Sequence, residues 1–167
     1  MIKDLSQEAI LFPVKFEDAT IKDLPAIKKI FKDAIEYCCL DDYSIEDISN
    51  WVSSANNEEF WNNLLQEGHV RVLYHKDEII GYYVLKYNEV IEHLFVHKDF
   101  QRDGIGGILL YDVEEHLKSN NYNKLYAEVS RTALPFFKAN KFEIVSTSVD
   151  VDPKYVAPFT PMRKFLL

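Results

Sequence analysis

The chain has 167 residues, of which 47% are hydrophobic and 28% are charged, and this is the composition of one soluble globular domain. Its net charge of −8 argues against nucleic acid as the main partner, because contacts to phosphate need clustered Lys and Arg. No stretch approaches the roughly 20 consecutive apolar residues of a membrane span, so we expect no membrane partner.

The two cysteines, Cys38 and Cys39, are adjacent in the sequence. Neighbouring cysteines have poor geometry for a disulfide, and no Cys-x-x-Cys pair indicates zinc. The N-terminus lacks the long apolar run with basic flanks that is typical of a signal peptide. These features predict a cytoplasmic protein in a reducing compartment.

The first part of the chain predicts one strand followed by three helices. The strand covers Leu11 to Glu17, and Thr20 is the predicted N-cap of a helix with Pro25 near its start. Gly68 is expected to end the third helix. Apolar residues recur at helical spacing in three segments, at residues 20–38, 44–53 and 57–66.

The middle of the chain changes to a strand pattern. Three short runs are alternating or rich in β-branched and aromatic residues, at residues 70–74, 79–87 and 90–97. Because the links between them are short and polar, they predict an antiparallel meander.

The last part of the chain returns to mixed elements. A helix is predicted from Ile105, fading at Ser119, and a short helix is capped by Thr132 with Pro135 in its first turn. Strands are predicted at residues 124–129, 142–151 and 155–166. This order predicts a single mixed α/β domain over residues 1–167.

A glycine-rich loop joins the third strand of the meander to the next helix. Gln101 and Arg102 precede Gly104, Gly106 and Gly107. Glycine lets backbone N–H groups approach a ligand closely, and a helix N-terminus adds a partial positive charge. The loop therefore predicts a pocket for phosphate oxygens, to which Arg102 can add a bidentate contact.

The run LFVHKDFQRDGIGGILL resembles the acyl-CoA loop of the GNAT superfamily of N-acetyltransferases, which carries Gln/Arg-x-x-Gly-x-Gly/Ala. Gln101, Gly104 and Gly106 occupy the three defining positions. The downstream segment SRTALPFFKANKF resembles the next helix of that family. The resemblance implies a mostly antiparallel sheet of about seven strands with helices on both faces, splayed between strands four and five.

The resemblance also implies that acetyl-CoA (coenzyme A) is the cofactor and that it lies in the splay. Backbone groups of the fourth strand would bind the pantetheine arm, and amides from Arg102 through Gly107 would hold the pyrophosphate, with Asp103 pointing outward. The expected cofactor-binding residues are Leu94, Phe95, Val96, Gln101, Arg102, Asp103, Gly104, Ile105, Gly106, Gly107, Ser130, Phe136 and Phe137.

Acetyl transfer to an amine requires removal of a proton from an ammonium group with a pKa of ~10. Glu92, just before the cofactor-binding run, is the candidate general base. It could instead be a solvated carboxylate or bind a cationic substrate. Ser130 is the second catalytic candidate, because its hydroxyl could bond the cofactor or donate to the leaving sulfur. Alternatively, it caps the next helix.

Two residues depart from the family pattern. Phe137 stands where the family often has a tyrosine general acid, so another group must protonate the sulfur or none does. Tyr126 and Tyr83 are possible substitutes. Lys141 stands where glycine usually precedes the next strand, and we expect Asn140 to take the left-handed turn instead.

Other polar residues carry weaker patterns. His93 and His97 are four positions apart on a strand, roughly 13 Å, which is too far to share a metal ion, so we expect none. The acidic and aromatic loop Asp41 to Tyr43 could bind a cationic amine, or could simply be solvated.

Together these features predict an N-acetyltransferase that moves an acetyl group from acetyl-CoA to a primary amine by direct attack in a ternary complex. The acceptor would be a small molecule or a peptide, and the protein a monomer or homodimer. One alternative is a non-catalytic acyl-CoA-binding or sensing module on the same fold. Another is a dinucleotide-binding domain, although Leu109 stands where that motif needs its third glycine.

Overall fold

The computed structural model describes residues 13–145 and 159–167, which contain seven strands and five α-helices. The strands are β1 (Val14–Asp18), β2 (His69–His75), β3 (Glu78–Lys86), β4 (Val90–Val96), β5 (Lys124–Ser130), β6 (Glu143–Ile144) and β7 (Phe159–Phe165). The helices are α1 (Leu24–Cys38), α2 (Ile45–Ser53), α3 (Glu58–Glu67), α4 (Ile105–Ser119) and α5 (Leu134–Ala139).

All seven strands form one sheet, in the order β1-β2-β3-β4-β5-β7-β6. Every neighbouring pair is antiparallel except β4 and β5. These two strands run parallel and pair only at Val90 with Tyr126 and at Ile91 with Ala127, after which they separate. The predicted meander, the mostly antiparallel sheet and the splay between strands four and five are confirmed.

The sheet carries helices on both faces, as predicted. On one face, α4 packs over β3, β4 and β5, and α5 packs over β5. This core contains Leu109, Leu110, Val113, Leu117, Leu125, Ala127, Val129, Phe137 and Met162. On the other face, α1, α2 and α3 pack over β2 and β3, and this core contains Ile27, Phe31, Ile35, Ile48, Trp61, Leu64, Val70, Val72, Tyr82 and Val84. The central strand β3 contributes to both cores, because its side chains alternate between them.

Polar side chains fix the starts of the first three helices. The Thr20 backbone N–H donates to Asp23 Oδ2 at 2.7 Å, which closes a 3₁₀ turn. The helix α1 follows this turn and begins at Leu24, four residues after Thr20. Ser44 and Asn57 cap α2 and α3 by accepting hydrogen bonds from the backbone N–H groups three residues ahead.

Gly68 ends α3 for a different reason from the one predicted. Its φ is −94°, so it does not adopt the left-handed conformation of a helix C-cap glycine. A Cβ at this position would lie 2.6 Å from the Leu64 carbonyl oxygen. The chain needs glycine here for close approach of β2 to the helix.

The turn after α5 corrects another expectation. Asn140 has φ −92°, and Lys141 itself takes the left-handed conformation with φ 69°. The Phe142 N–H donates to the Phe137 carbonyl and the Lys141 N–H to the Lys138 carbonyl, which together form a Schellman motif. Beyond it, β6 is shorter than the predicted strand at residues 142–151, part of which lies outside the described residues, as does the start of the strand predicted at 155–166.

Replacing Lys141 with glycine should therefore stabilise the protein. A non-glycine residue in the left-handed region costs about 1–2 kcal/mol, partly offset by the greater unfolded-state entropy of glycine, so we expect a net gain of roughly 0.5–1 kcal/mol. Urea unfolding measures this gain. The matched change Asn140→Gly should destabilise, because it removes the side-chain hydrogen bond to the Phe136 carbonyl at 2.9 Å. If both variants changed the free energy of unfolding equally, the assignment of the left-handed position to Lys141 would be contradicted.

Candidate functional site

The gap between β4 and β5 opens toward the N-terminus of α4. On the β4 side, Gln101 Nε2 donates to the Val96 carbonyl at 2.8 Å, which folds the loop back on its own strand. On the β5 side, the Phe136 ring from α5 reaches Gly106 in the first turn of α4. The start of α4 is thus held between the ends of the two diverging strands.

The first amides of α4 point to no protein acceptor. The loop turns through two left-handed residues, Arg102 with φ 66° and Gly104 with φ 80°, and the first helical bond joins the Ile108 N–H to the Gly104 carbonyl. Among the described residues, no hydrogen bond uses the N–H groups of Ile105, Gly106 or Gly107. Unpaired amides at a helix N-terminus are a binding site for anions.

Side chains around these amides leave room for a ligand. A Cβ on Gly107 would have no heavy atom within 4 Å, whereas a Cβ on Gly106 would lie 3.2 Å from the Phe136 ring. Arg102 and Asp103 are exposed, and Arg102 makes no ion pair with a described residue. Ile105 is buried, so only its backbone can contribute.

The aromatic residues of α5 differ in position. Phe136 is half-buried beside the α4 N-terminus, but Phe137 is buried in the α4-side core, where its ring packs 4.9 Å from that of Phe142. Tyr83 is also in that core and donates to Asp112 Oδ2 at 2.8 Å, which removes it as a substitute acid. Tyr126 is half-buried on the opposite face of the sheet.

On β4, the backbones of the three predicted pantetheine-binding residues border the gap. Leu94 and Val96 pack their side chains against the α4-side core. Phe95 packs on the other face, 5.2 Å from Phe31 and 5.8 Å from Tyr82 between ring centroids.

Ser130, the last residue of β5, accepts a hydrogen bond from the Ala133 N–H at 3.2 Å. Because its oxygen is the acceptor, its hydroxyl hydrogen remains able to donate elsewhere. Thr132 does not cap α5 as predicted, since the N-cap position is Ala133. The Thr132 hydroxyl instead donates to Asp42 Oδ2 at 2.7 Å.

The loop Asp41 to Tyr43 is docked on the end of β5 through Tyr43, whereas Asp41 and Asp42 are exposed. The Arg131 N–H donates to the Tyr43 hydroxyl at 2.9 Å, and the Arg131 guanidinium lies 4.6 Å above the Tyr43 ring. Tyr43 is buried, at 8% exposure. This contact joins the α1–α2 connection to the strand that borders the gap.

Glu92 occupies a β-bulge in β4. Val84 pairs with His93 and Leu85 with Ile91, so Glu92 has no partner on β3. Its carboxylate lies 2.9 Å from Lys86 Nζ, and its side chain is 31% exposed. Lys86 Nζ also lies 6.0 Å from the centre of the Phe60 ring on α3, so Glu92 lies on the α1–α3 face of the sheet, one residue beyond the last β4–β5 pair.

Glu128 is a second carboxylate near this point, and the sequence analysis missed it. β5 lies between two other strands, and its Leu125, Ala127 and Val129 are buried by α4. On the opposite face, toward α1–α3, Glu128 is exposed and makes no hydrogen bond or ion pair with a described residue. The alternation in LYAEVS could have revealed this uncovered face.

His93 sits in an aromatic core and not in a ligand site. Its ring stacks 5.4 Å from Phe31 and lies 5.5 Å from Trp61, and its Nδ1 is 3.0 Å from the Tyr82 hydroxyl. Burial, with a smaller effect of the Lys86 charge, lowers the pKa of His93 to about 3. Within residues 13–145 and 159–167, no cluster of three or more His, Cys, Asp or Glu could hold a metal ion.

The buried His93 predicts loss of stability in acid. Its folded-state pKa of about 3 lies below the unfolded value of 6.5, so unfolding takes up a proton below pH 6.5. Its stabilising contribution is complete above pH 6.5 and falls by up to about 1.4 kcal/mol per pH unit toward pH 3. Urea unfolding of His93→Gln between pH 7 and 4.5 should show a correspondingly flatter dependence. If the free energy of unfolding fell with pH equally in the variant and the wild type, the loss of stability in acid would not come from His93.

In the described part of the chain, no helix is both long and apolar enough to cross a bilayer.

Comparison with known proteins was made at the level of families and of folds. The family model for the acetyltransferase (GNAT) domain matches residues 39–166. No curated protein matches the chain in sequence.

Three solved structures illustrate the structural likeness. A GCN5-related N-acetyltransferase from Rhodopseudomonas palustris has a TM-score of 0.84 at 23% identity, over 95% of this chain and 99% of that one. The PaiA N-acetyltransferase from Thermoplasma acidophilum, solved with coenzyme A, gives 0.74 at 19% identity, over 92% and 99%. The ribosomal-protein-S18-alanine N-acetyltransferase from Escherichia coli gives 0.65 at 16% identity, over 92% and 94%.

Proposed function

The chain belongs to the acetyltransferase (GNAT) domain family, and from this premise we propose that it transfers an acetyl group from acetyl-CoA to a primary amine. The observation that carries the proposal is the set of amides at Ile105, Gly106 and Gly107 that have no acceptor among the described residues and that lie where β4 and β5 separate. The anion site at these amides suits the diphosphate of coenzyme A, and the gap between β4 and β5 suits its extended pantetheine arm.

The cofactor is held chiefly by main-chain groups. The amides from Arg102 through Gly107 bind the diphosphate, and the exposed Arg102 side chain adds a positive charge to it. The backbones of Leu94, Phe95 and Val96 bind the pantetheine arm along β4. This arrangement presents the thioester at the bulge, near Glu92.

The chemical step is direct attack within a ternary complex. The amine nitrogen forms a bond to the acetyl carbonyl carbon, the C–S bond breaks and its electron pair leaves on sulfur. The ammonium proton passes first to Glu92, directly or through a water. The second proton, lost from nitrogen after the attack, passes to the thiolate, so that the products are an amide and a free thiol. Glu128 lies on the neighbouring strand on the same side of the sheet and holds the incoming cation.

The departing sulfur needs little help, because a thiol with a pKa of ~8.5 leaves tolerably as the thiolate. The Ser130 hydroxyl can donate to it, since its oxygen already accepts from the Ala133 N–H. Phe137 cannot donate to the sulfur, because it is buried and has no hydroxyl group. Ser130 takes that role instead.

Release of free thiol from acetyl-CoA over a panel of primary amines tests the proposal. We expect thiol release that depends on amine concentration and an acetylated amine detectable by mass spectrometry. The competing function is a non-catalytic acyl-CoA sensor, which the phenylalanine at position 137 favours. Tight CoA binding with no turnover across the panel would establish the sensor instead.

A further inference from the structure

Trp51, Glu128, Ser130 and Phe159 lie beside the gap on the α1–α3 face of the sheet, and we call the surface that they form the acceptor cleft. We infer that the acceptor cleft selects a primary amine that carries an aromatic ring on a short alkyl arm. This inference rests on the proposed acetyl transfer and names its acceptor class.

The cleft is open where an interior strand should be covered. Residues of β5 that face α4 are buried, whereas Tyr126, Glu128 and Ser130 on the opposite face are exposed or half-buried. The layer formed by α1, α2 and α3 packs mainly over β2 and β3, and it reaches the end of β5 through Tyr43 and the start of β7 through Trp51. A small molecule can therefore reach the gap from this face.

One end of the acceptor cleft is acidic. Glu92 is already paired with Lys86 at 2.9 Å, but Glu128 has no cationic partner among the described residues. Glu128 is thus the carboxylate available to an ammonium group, and the net charge of −8 adds a long-range attraction for cations.

The other end of the acceptor cleft is aromatic. Phe159 lies opposite Ser130 in the β5–β7 register, so the two share a face of the sheet. Trp51 from α2 packs edge-on to the Phe159 ring at 5.4 Å and to the Tyr43 ring at 5.6 Å. Trp51 and Phe159 are both only half-buried, so their rings present accessible apolar surface.

The spacing of the two ends sets the length of the acceptor. Glu128 is the diagonal cross-strand neighbour of Phe159, a relation that places such side chains roughly 7–8 Å apart. A short alkyl arm between an ammonium group and a ring spans this separation.

Arg131 argues against a second positive charge on the acceptor. Its guanidinium lies over the Tyr43 ring at 4.6 Å and donates to the Asp42 carbonyl at 3.1 Å, at the aromatic end of the cleft. The distal ammonium of a polyamine would meet this cation, whereas an uncharged ring would not.

The test compares phenethylamine, ethylamine and spermidine as acceptors. We expect kcat/KM for phenethylamine to exceed that for ethylamine by roughly 10- to 100-fold, as a ring buried on Trp51 and Phe159 predicts, and to exceed that for spermidine as well. Phe159→Ala should reduce the phenethylamine-to-ethylamine ratio by about tenfold. Phe165→Ala is the matched control on the same strand, where the ring contacts Lys124 and Arg163, and it should leave the ratio unchanged.

The outcomes separate this inference from the proposed function. Turnover with spermidine or ethylamine as the better acceptor, or an unchanged ratio in Phe159→Ala, would overturn the aromatic class while acetyl transfer stands. If no amine is acetylated, calorimetric titration of phenethylamine into the CoA-bound protein decides the point. Binding that weakens in Phe159→Ala and Glu128→Gln supports the cleft, and absence of binding overturns it.

Discussion

Replacement of Gly107 with aspartate should abolish coenzyme A binding and at the same time make the free protein more stable. Gly107 is the third residue of α4, and a side chain there meets no heavy atom within 4 Å. Removing a helical glycine and adding an acid to the first turn should together stabilise by roughly 0.5–1 kcal/mol. The same carboxylate repels a diphosphate bound at the neighbouring amides, and at an effective dielectric near 20 this repulsion should weaken binding by about 100-fold or more.

Calorimetric titration with CoA and thermal unfolding measure these two opposite effects on one variant. Gly107→Asn is the matched control, because it has the same shape without the charge and should retain most of the affinity. Gly106 is a poorer position for the experiment, since a Cβ there would press on the Phe136 ring at 3.2 Å. Wild-type CoA affinity in Gly107→Asp would mean that α4 does not bind the diphosphate.

The second large effect is expected for Glu92→Gln. If the carboxylate takes the ammonium proton, its loss should lower kcat by about 100-fold at pH 7. The deficit should shrink toward pH 9, because an amine with a pKa of ~10 then carries roughly 100 times more free base than at pH 7. The measurement is the pH profile of kcat for both proteins.

Two further variants sharpen this result. Glu128→Gln should raise the KM for the amine more than it lowers kcat, since Glu128 holds the cation and does not take its proton. Lys86→Met removes the cation that lies 2.9 Å from Glu92, and the change in kcat measures what that ion pair contributes to turnover. A pH profile of Glu92→Gln that runs parallel to wild type would reject the base role.

Much of the fold could be predicted because local signals and global topology agree. The change from helical to alternating spacing after Gly68 marks β2, β3 and β4, and their short links dictate an antiparallel meander. The apolar spacing from Ile105 to Ser119 matches the observed bounds of α4. By the same local reasoning, the glycines at the N-cap and in the first turn of that helix predict an anion site there.

Other features depend on contacts that no local pattern encodes. Tyr43 contacts Arg131, 88 positions away, so no local pattern indicates that the acidic loop makes a structural contact. The bulge at Glu92 arises from the register between β3 and β4 and not from a residue type. Lys141 adopts a left-handed turn against its own preference, because the Schellman motif after α5 requires that conformation.

The short pairing between β4 and β5 has a wider consequence. Two residue pairs join the halves of the sheet, and beyond Ile91 and Ala127 the described residues of the two strands no longer pair with each other. Backbone N–H and C=O groups require partners, and exposed edges normally invite association with another chain. Here the two edges belong to neighbouring strands of one sheet, and under the proposed function they pair with the slender, amide-bearing arm of coenzyme A. On this proposal, ending a ladder early is enough to create a site of recognition.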